Sequence, residues 1–171
     1  LAKVSDKDTD ENTIMIAVGG KNKHFAFDEN HIISQIDYFI SIHPNKNCYI
    51  FNSRRTPNSI NQKLASLNNI HKNVTFCDLN IGSNNFEKIL EKASSKLITR
   101  DSVNMIFESL SCKGKTYLID MKENRSSNKV VKIVDNLIKN KKVGFIDCDN
   151  IVDDMSKMKL QKQNIHNEIY A

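Results

Sequence analysis

Short apolar runs alternate with amphipathic stretches along most of the chain, and the strand and helix periods can be separated by eye. Residues 14–18 form a continuous apolar run closed by Gly19-Gly20, the pattern of a buried strand and a glycine turn. Asp28 then precedes a helical stretch in which Ile32, Ile33, Ile36, Phe39 and Ile40 share one stripe, ending before Pro44. Further strands are predicted at 48–51, 74–77, 97–99, 116–119 and 143–146. Helices are predicted at 59–67, around Phe86, Ile89 and Leu90, at 103–110 and at 129–139. The polar tail from 151 to 171 reads as one more helix. Strands separated by helical stretches imply βαβ units, so the predicted fold is a Rossmann-like three-layer α/β/α domain with a mainly parallel sheet. The chain divides into a polar lead-in (1–12), this domain (13–148) and a C-terminal helix (149–171).

A chain of 171 residues can bury one real core, and its 39% hydrophobic content is ordinary for that. The net charge of +5 comes from scattered lysines and arginines, with small knots near 139–142 and 157–162. With no zinc-finger spacing and no RNA-binding aromatic signature, no nucleic-acid partner is expected. Cys48, Cys77, Cys112 and Cys148 lie far apart without a C-x-x-C pair, which points to free thiols in a reducing, cytoplasmic compartment. No apolar run approaches the roughly 20 residues that cross a bilayer. The acids Asp147, Asp149, Asp153 and Asp154 lack an EF-hand pattern, so no metal is expected. The chain opens on Leu1 rather than Met, so an upstream part is expected to precede it.

Candidate chemistry gathers at two strand-to-helix edges, where the unpaired first N–H groups of a helix meet anions in open α/β sheets. One is Thr99-Arg100-Asp101-Ser102, which runs into the 103–110 helix. Asp101 is the expected N-cap, an acid suited to the helix dipole. At about 100° per residue, Val103, Ile106, Phe107 and Leu110 face inward, and Ser102, Met105 and Glu108 line the opposite side. That side is either simply solvated or lies against a ligand. The second edge is Ser53-Arg54-Arg55-Thr56-Pro57, where an arginine pair could grip a diphosphate and Pro57 suits the first helical position. Gly19 and Gly20 permit close backbone approach to an anion, though the full G-x-G-x-x-G spacing is absent. Lys113-Gly114-Lys115 reads as a helix end leading into the next strand. No Ser/His/Asp spacing, H-E-x-x-H or P-loop is present, and no catalytic residue is assigned.

Taken together, Ser53-Arg54-Arg55-Thr56-Pro57 and, about 45 residues later, Thr99-x-Asp101-Ser102-Val103-x-Met105-x-x-Glu108 with Lys113-Gly114-Lys115 resemble the mitochondrial-fission ELM family. That family comprises plant mitochondrial-division proteins and many alphaproteobacterial relatives. The likeness runs from about Ile14 to Asp120 and departs at Gly114-Lys115-Thr116-Tyr117, where relatives tend to carry a proline. The resemblance implies the C-terminal, donor-side half of a GT-B glycosyltransferase-like protein, with a crevice for a nucleoside-diphosphate sugar as substrate and no tightly bound cofactor. On that reading Gly19 and Gly20 form the first-loop anion site, Arg54 and Arg55 meet phosphate, Ser102 and Met105 line diphosphate and sugar, and Glu108 takes ribose hydroxyls. The missing N-terminal GT-B domain would carry the acceptor pocket. The family also implies an alternative: a non-catalytic GT-B-shaped scaffold that recruits partners to a membrane surface. The basic tail (Lys157, Lys159, Lys162) is expected to pack on the N-terminal half, with peripheral contact to the inner face of a membrane as the other option.

Overall fold

Strand β1 (Asp10–Ala17) is an interior strand of the sheet, and its residues from Thr13 to Ala17 are buried on both faces. A parallel strand covered on both sides reads as a continuous apolar run, which is why this segment is legible in sequence. In the computed structural model, which describes residues 8–82, 85–124, 129–148 and 163–166, β1 leads through helix α1 (Glu29–Ser41) to β2 (Asn47–Phe51). The order continues with α2 (Asn58–Ile70), β3 (Val74–Cys77), α3 (Phe86–Lys92), β4 (Ala93–Thr99), α4 (Val103–Leu110) and β5 (Lys115–Ile119). It closes with α5 (Lys129–Lys139), β6 (Gly144–Cys148) and β7 (Gln163–His166).

The strand order is β3-β2-β1-β4-β5-β6-β7, parallel throughout except for antiparallel β7. This is the expected Rossmann-like three-layer arrangement. Right-handed crossovers put α1 and α2 on one face and α3, α4 and α5 on the other. On α1, Ile32, Ile36, Phe39 and Ile40 are fully buried, each worth about 1.5–3 kcal/mol of transfer free energy. Asp28, just before the helical stretch, caps it by accepting from the His31 amide at 3.2 Å. Ile60, Leu64 and Leu67 anchor α2, whose N-cap is Pro57 itself.

Three expectations are corrected. Within the tail, residues 163–166 form a strand rather than part of a helix, with Ile165 packed on the core. The open edge of β6 supplies backbone donors and acceptors that satisfy this segment more directly than a lone polar helix would. Residues 149–162 and 167–171, with the basic knot at Lys157, Lys159 and Lys162, lie outside the described residues. Next, β4 begins four residues earlier than the apolar run 97–99 suggests, and its polar start hides a fully buried Lys96. Lastly, the buried stripe of α4 is Ser102, Ile106 and Ser109, while Val103, Phe107 and Leu110 are only half-buried. The inner face is turned toward the serines because Ser109 Oγ bonds Thr116 Oγ1 at 2.6 Å and lets the helix sit close to β5.

Cys48, Cys77 and Cys112 are free thiols. Burial pushes Cys48 and Cys77 above the ordinary thiol range, which makes them poor nucleophiles. Among the described residues, no helix is long and apolar enough to cross a membrane.

Candidate functional site

Strand β1 is flanked by β2 on one side and β4 on the other, so the connections leaving β1 and β4 diverge at the carboxyl edge, the switch point of the sheet. Three loops meet there. After β2, the Ser53–Thr56 turn is closed by the Thr56 amide donating to Ser53 O at 3.1 Å, and the Thr56 hydroxyl accepts from the Ser53 amide at 2.8 Å. The same hydroxyl donates to Gly19 O at 2.6 Å, tying this turn to the end of β1. After β4, Thr99 Oγ1 accepts from the Gly19 amide at 2.8 Å and lies 3.3 Å from Ser102 Oγ.

Asp101 joins all three loops. Its Oδ2 accepts from the Gly20 amide at 3.1 Å and from Arg55 Nη2 at 3.3 Å. The Asp101 side chain is fully buried, whereas that of Arg55 is 51% exposed. Asp101 Oδ1 is buried without a hydrogen-bond partner. The glycines follow from this crowding. A Cβ on Gly19 would overlap Asp101 Oδ2 and Ser102 Oγ, and one on Gly20 would overlap the Arg55 backbone carbonyl.

The structure therefore brings Gly19, Gly20, Arg55, Asp101 and Ser102 together, with Arg54 exposed on the same turn. Asp101 is not the N-cap of α4. That position belongs to Ser102, whose side chain makes no capping bond, because the Asp101 carboxylate is engaged by Gly20 and Arg55 instead. Both glycine amides are already occupied, by Thr99 and Asp101, rather than pointing into open space. Ser102 is buried, and Met105 is half-buried beside a different cleft of about 510 Å3 shared with Leu79, Asn85, Phe86, Glu87 and Lys88. Glu108 is exposed, about 9 Å further along the axis of α4 than Ser102.

A second polar cluster, which the sequence did not signal, stands one strand over. His31 Nε2 bonds Asp120 Oδ2 at 3.0 Å, and Arg100 Nη2 approaches Asp120 Oδ1 at 3.7 Å. Gln35, fully buried on α1, clamps the Asp120 backbone from both sides, donating to its carbonyl at 2.9 Å and accepting from its amide at 2.6 Å. Nearby, burial and the adjoining Asp135 carboxyl hold Glu123 above the usual carboxylate range. Arg100 falls between Thr99 and Asp101, so the alternation of a strand end was the available signal that it points away from both. Among the described residues, no group of three histidine, cysteine or acidic side chains is arranged to hold a metal ion.

Residues 3–165 match the family model described as Mitochondrial fission ELM1. The chain belongs to this family. The match spans all three loops at this edge, so the Ser53–Pro57 and Thr99–Glu108 segments of this ELM1-family protein lie within the family's shared region. No curated protein matches the chain.

Proposed function

We propose that the carboxyl edge between β1 and β4 binds the diphosphate of a nucleoside-diphosphate sugar, as the donor-side half of a GT-B glycosyltransferase-like protein. The observation that supports this is the meeting of the exposed Arg54-Arg55 turn with the first turn of α4, which lacks a side-chain cap, across the switch point of the sheet. Guanidinium forks bind phosphate oxygens in pairs, and free helix N–H groups favour the same charge. Glu108, exposed further along α4, accepts ribose hydroxyls in this reading. An N-terminal half would close the crevice and supply the acceptor pocket, and the protein would work in the cytoplasm, in peripheral contact with a membrane. No residue of this chain is assigned as catalytic: the base that takes the acceptor's proton would come with the N-terminal half, while this half stabilises charge on the leaving diphosphate.

Titration calorimetry with UDP, GDP and CMP tests the reading. One nucleotide is expected to bind, with affinity falling about tenfold in Arg54→Ala, the loss of one charge-assisted contact. A smaller loss is expected in Glu108→Ala. A specific observation favours the second reading, a scaffold that recruits partners to a membrane surface: the two glycine amides are already filled by Thr99 and Asp101. Absence of binding by all three nucleotides to the full-length protein, with its N-terminal half present and melting cooperatively, would decide for the scaffold.

A further inference from the structure

We propose that Asp101 is a built-in competitor for the anion site, holding the place of a ligand phosphate until one arrives. This rests on the nucleotide reading above and adds a regulation of that same site. The carboxylate takes what a phosphate oxygen would need: the Gly20 amide at 3.1 Å and the Arg55 guanidinium at 3.3 Å. It lies beside the first turn of α4, where Ser102 provides no capping bond. A phosphate held by Arg55 and that turn would press against the carboxylate, and two anions in a buried site repel strongly.

The contact is also built to be given up. Asp101 is fully buried, yet Oδ1 has no partner, an arrangement that costs free energy for an ionised group. Its cationic partner Arg55 is half-exposed, so their attraction is weakened by water. Asp120, one strand away, has both oxygens engaged, by His31 at 3.0 Å and by Arg100 at 3.7 Å. When phosphate enters, Arg55 and the Gly20 amide pass from the carboxylate to the ligand, and Asp101 gives up both of its bonds. Affinity in the wild type is therefore lowered by the cost of releasing Asp101.

The test compares binding of inorganic pyrophosphate and UDP to the wild type and to Asp101→Asn, which keeps the shape and an acceptor for Gly20 but removes the charge. Tighter binding by about tenfold or more in the variant is expected. A second measurement needs no variant: the Gly20 amide resonance of the wild type shifts on saturation with pyrophosphate. Equal or weaker binding by Asp101→Asn, with the wild type binding measurably, would overturn the proposal and make Asp101 a positioning residue for Arg55. A Gly20 amide that stays unmoved at saturation would overturn it too, even if the variant fails to fold. No binding to either protein, both folded, would instead remove the nucleotide reading and this inference with it.

Discussion

The two ends of α4 each meet a buried charge of the sign that the helix dipole favours, and they handle it in opposite ways. At the C-terminal end, the Lys96 ammonium reaches across from β4 and donates to Ser109 O at 2.8 Å and Lys113 O at 3.0 Å. That cation is fully buried, and it shares the Ser109 carbonyl with the Cys112 amide, which donates to the same oxygen at 3.1 Å. At the N-terminal end, the Asp101 carboxylate engages one oxygen and leaves the other unpartnered, with a half-exposed arginine as its counter-ion. One end is closed by the chain's own groups; the other is left incomplete where the sheet opens to solvent. A buried charge with its bonds filled is part of the fold, and a buried charge with bonds unfilled marks a place where something else can bind.

The largest effect should come from the closed end. Lys96→Ala removes two hydrogen bonds and leaves a cavity behind, and should cost about 3–5 kcal/mol in urea unfolding. A loss below about 1 kcal/mol would erase the contrast between the two ends. Burial lowers the Lys96 pKa to about 8, below its ordinary value of 10.5. Between those values the unfolded chain binds the proton and the folded chain does not, so stability should rise as pH increases from 8 toward 10.5. Within that window the slope is at most about 1.4 kcal/mol per pH unit, and the whole penalty is present below pH 8. Lys96→Met should flatten that slope in denaturation at a series of pH values.

A smaller effect sharpens the packing side of the open end. Gly20→Ala pushes a methyl group into the Arg55 backbone and should cost about 1–3 kcal/mol. Gly82→Ala, where a Cβ meets nothing within 4 Å, should change the melting midpoint little and serves as the control. The smallest stability effect is expected for Arg55→Ala, less than about 1 kcal/mol, because the pair is half in water. Its effect on nucleotide affinity should be the larger of the two. A variant that lost much stability and no affinity would place Arg55 with Lys96, as part of the fold.

Much of the scaffold is legible in the residues themselves. The apolar run at 14–18 and the α1 stripe depend on neighbours within a few positions, and each stands where periodicity puts it. The glycine pair is legible as a need for close approach, though not what approaches. Asp101 reads as a helix cap because local geometry offers it that partner, while a guanidinium 46 residues away and an amide 81 residues away take the carboxylate. Lys96 is invisible in the sequence for a related reason. A lysine in a polar stretch reads as surface, and only the placement of the α4 terminus above it supplies carbonyls that make its burial possible.

By itself, then, the sequence determined the order of strands and helices as far as β6, the parallel α/β class and the two polar edges, because hydrogen-bonded periods and hydrophobic faces are properties of short stretches of chain. Only the tertiary structure decided which edges meet. Strand β4 pairs with β1 rather than with β3, and that choice brings Thr99, Asp101 and Ser102 onto Gly19, Gly20 and Arg55. It also decided that residues 163–166 add a strand to β6. These contacts join loops and edges distant in sequence, and their free energy exists only once the sheet has assembled and excluded water from them.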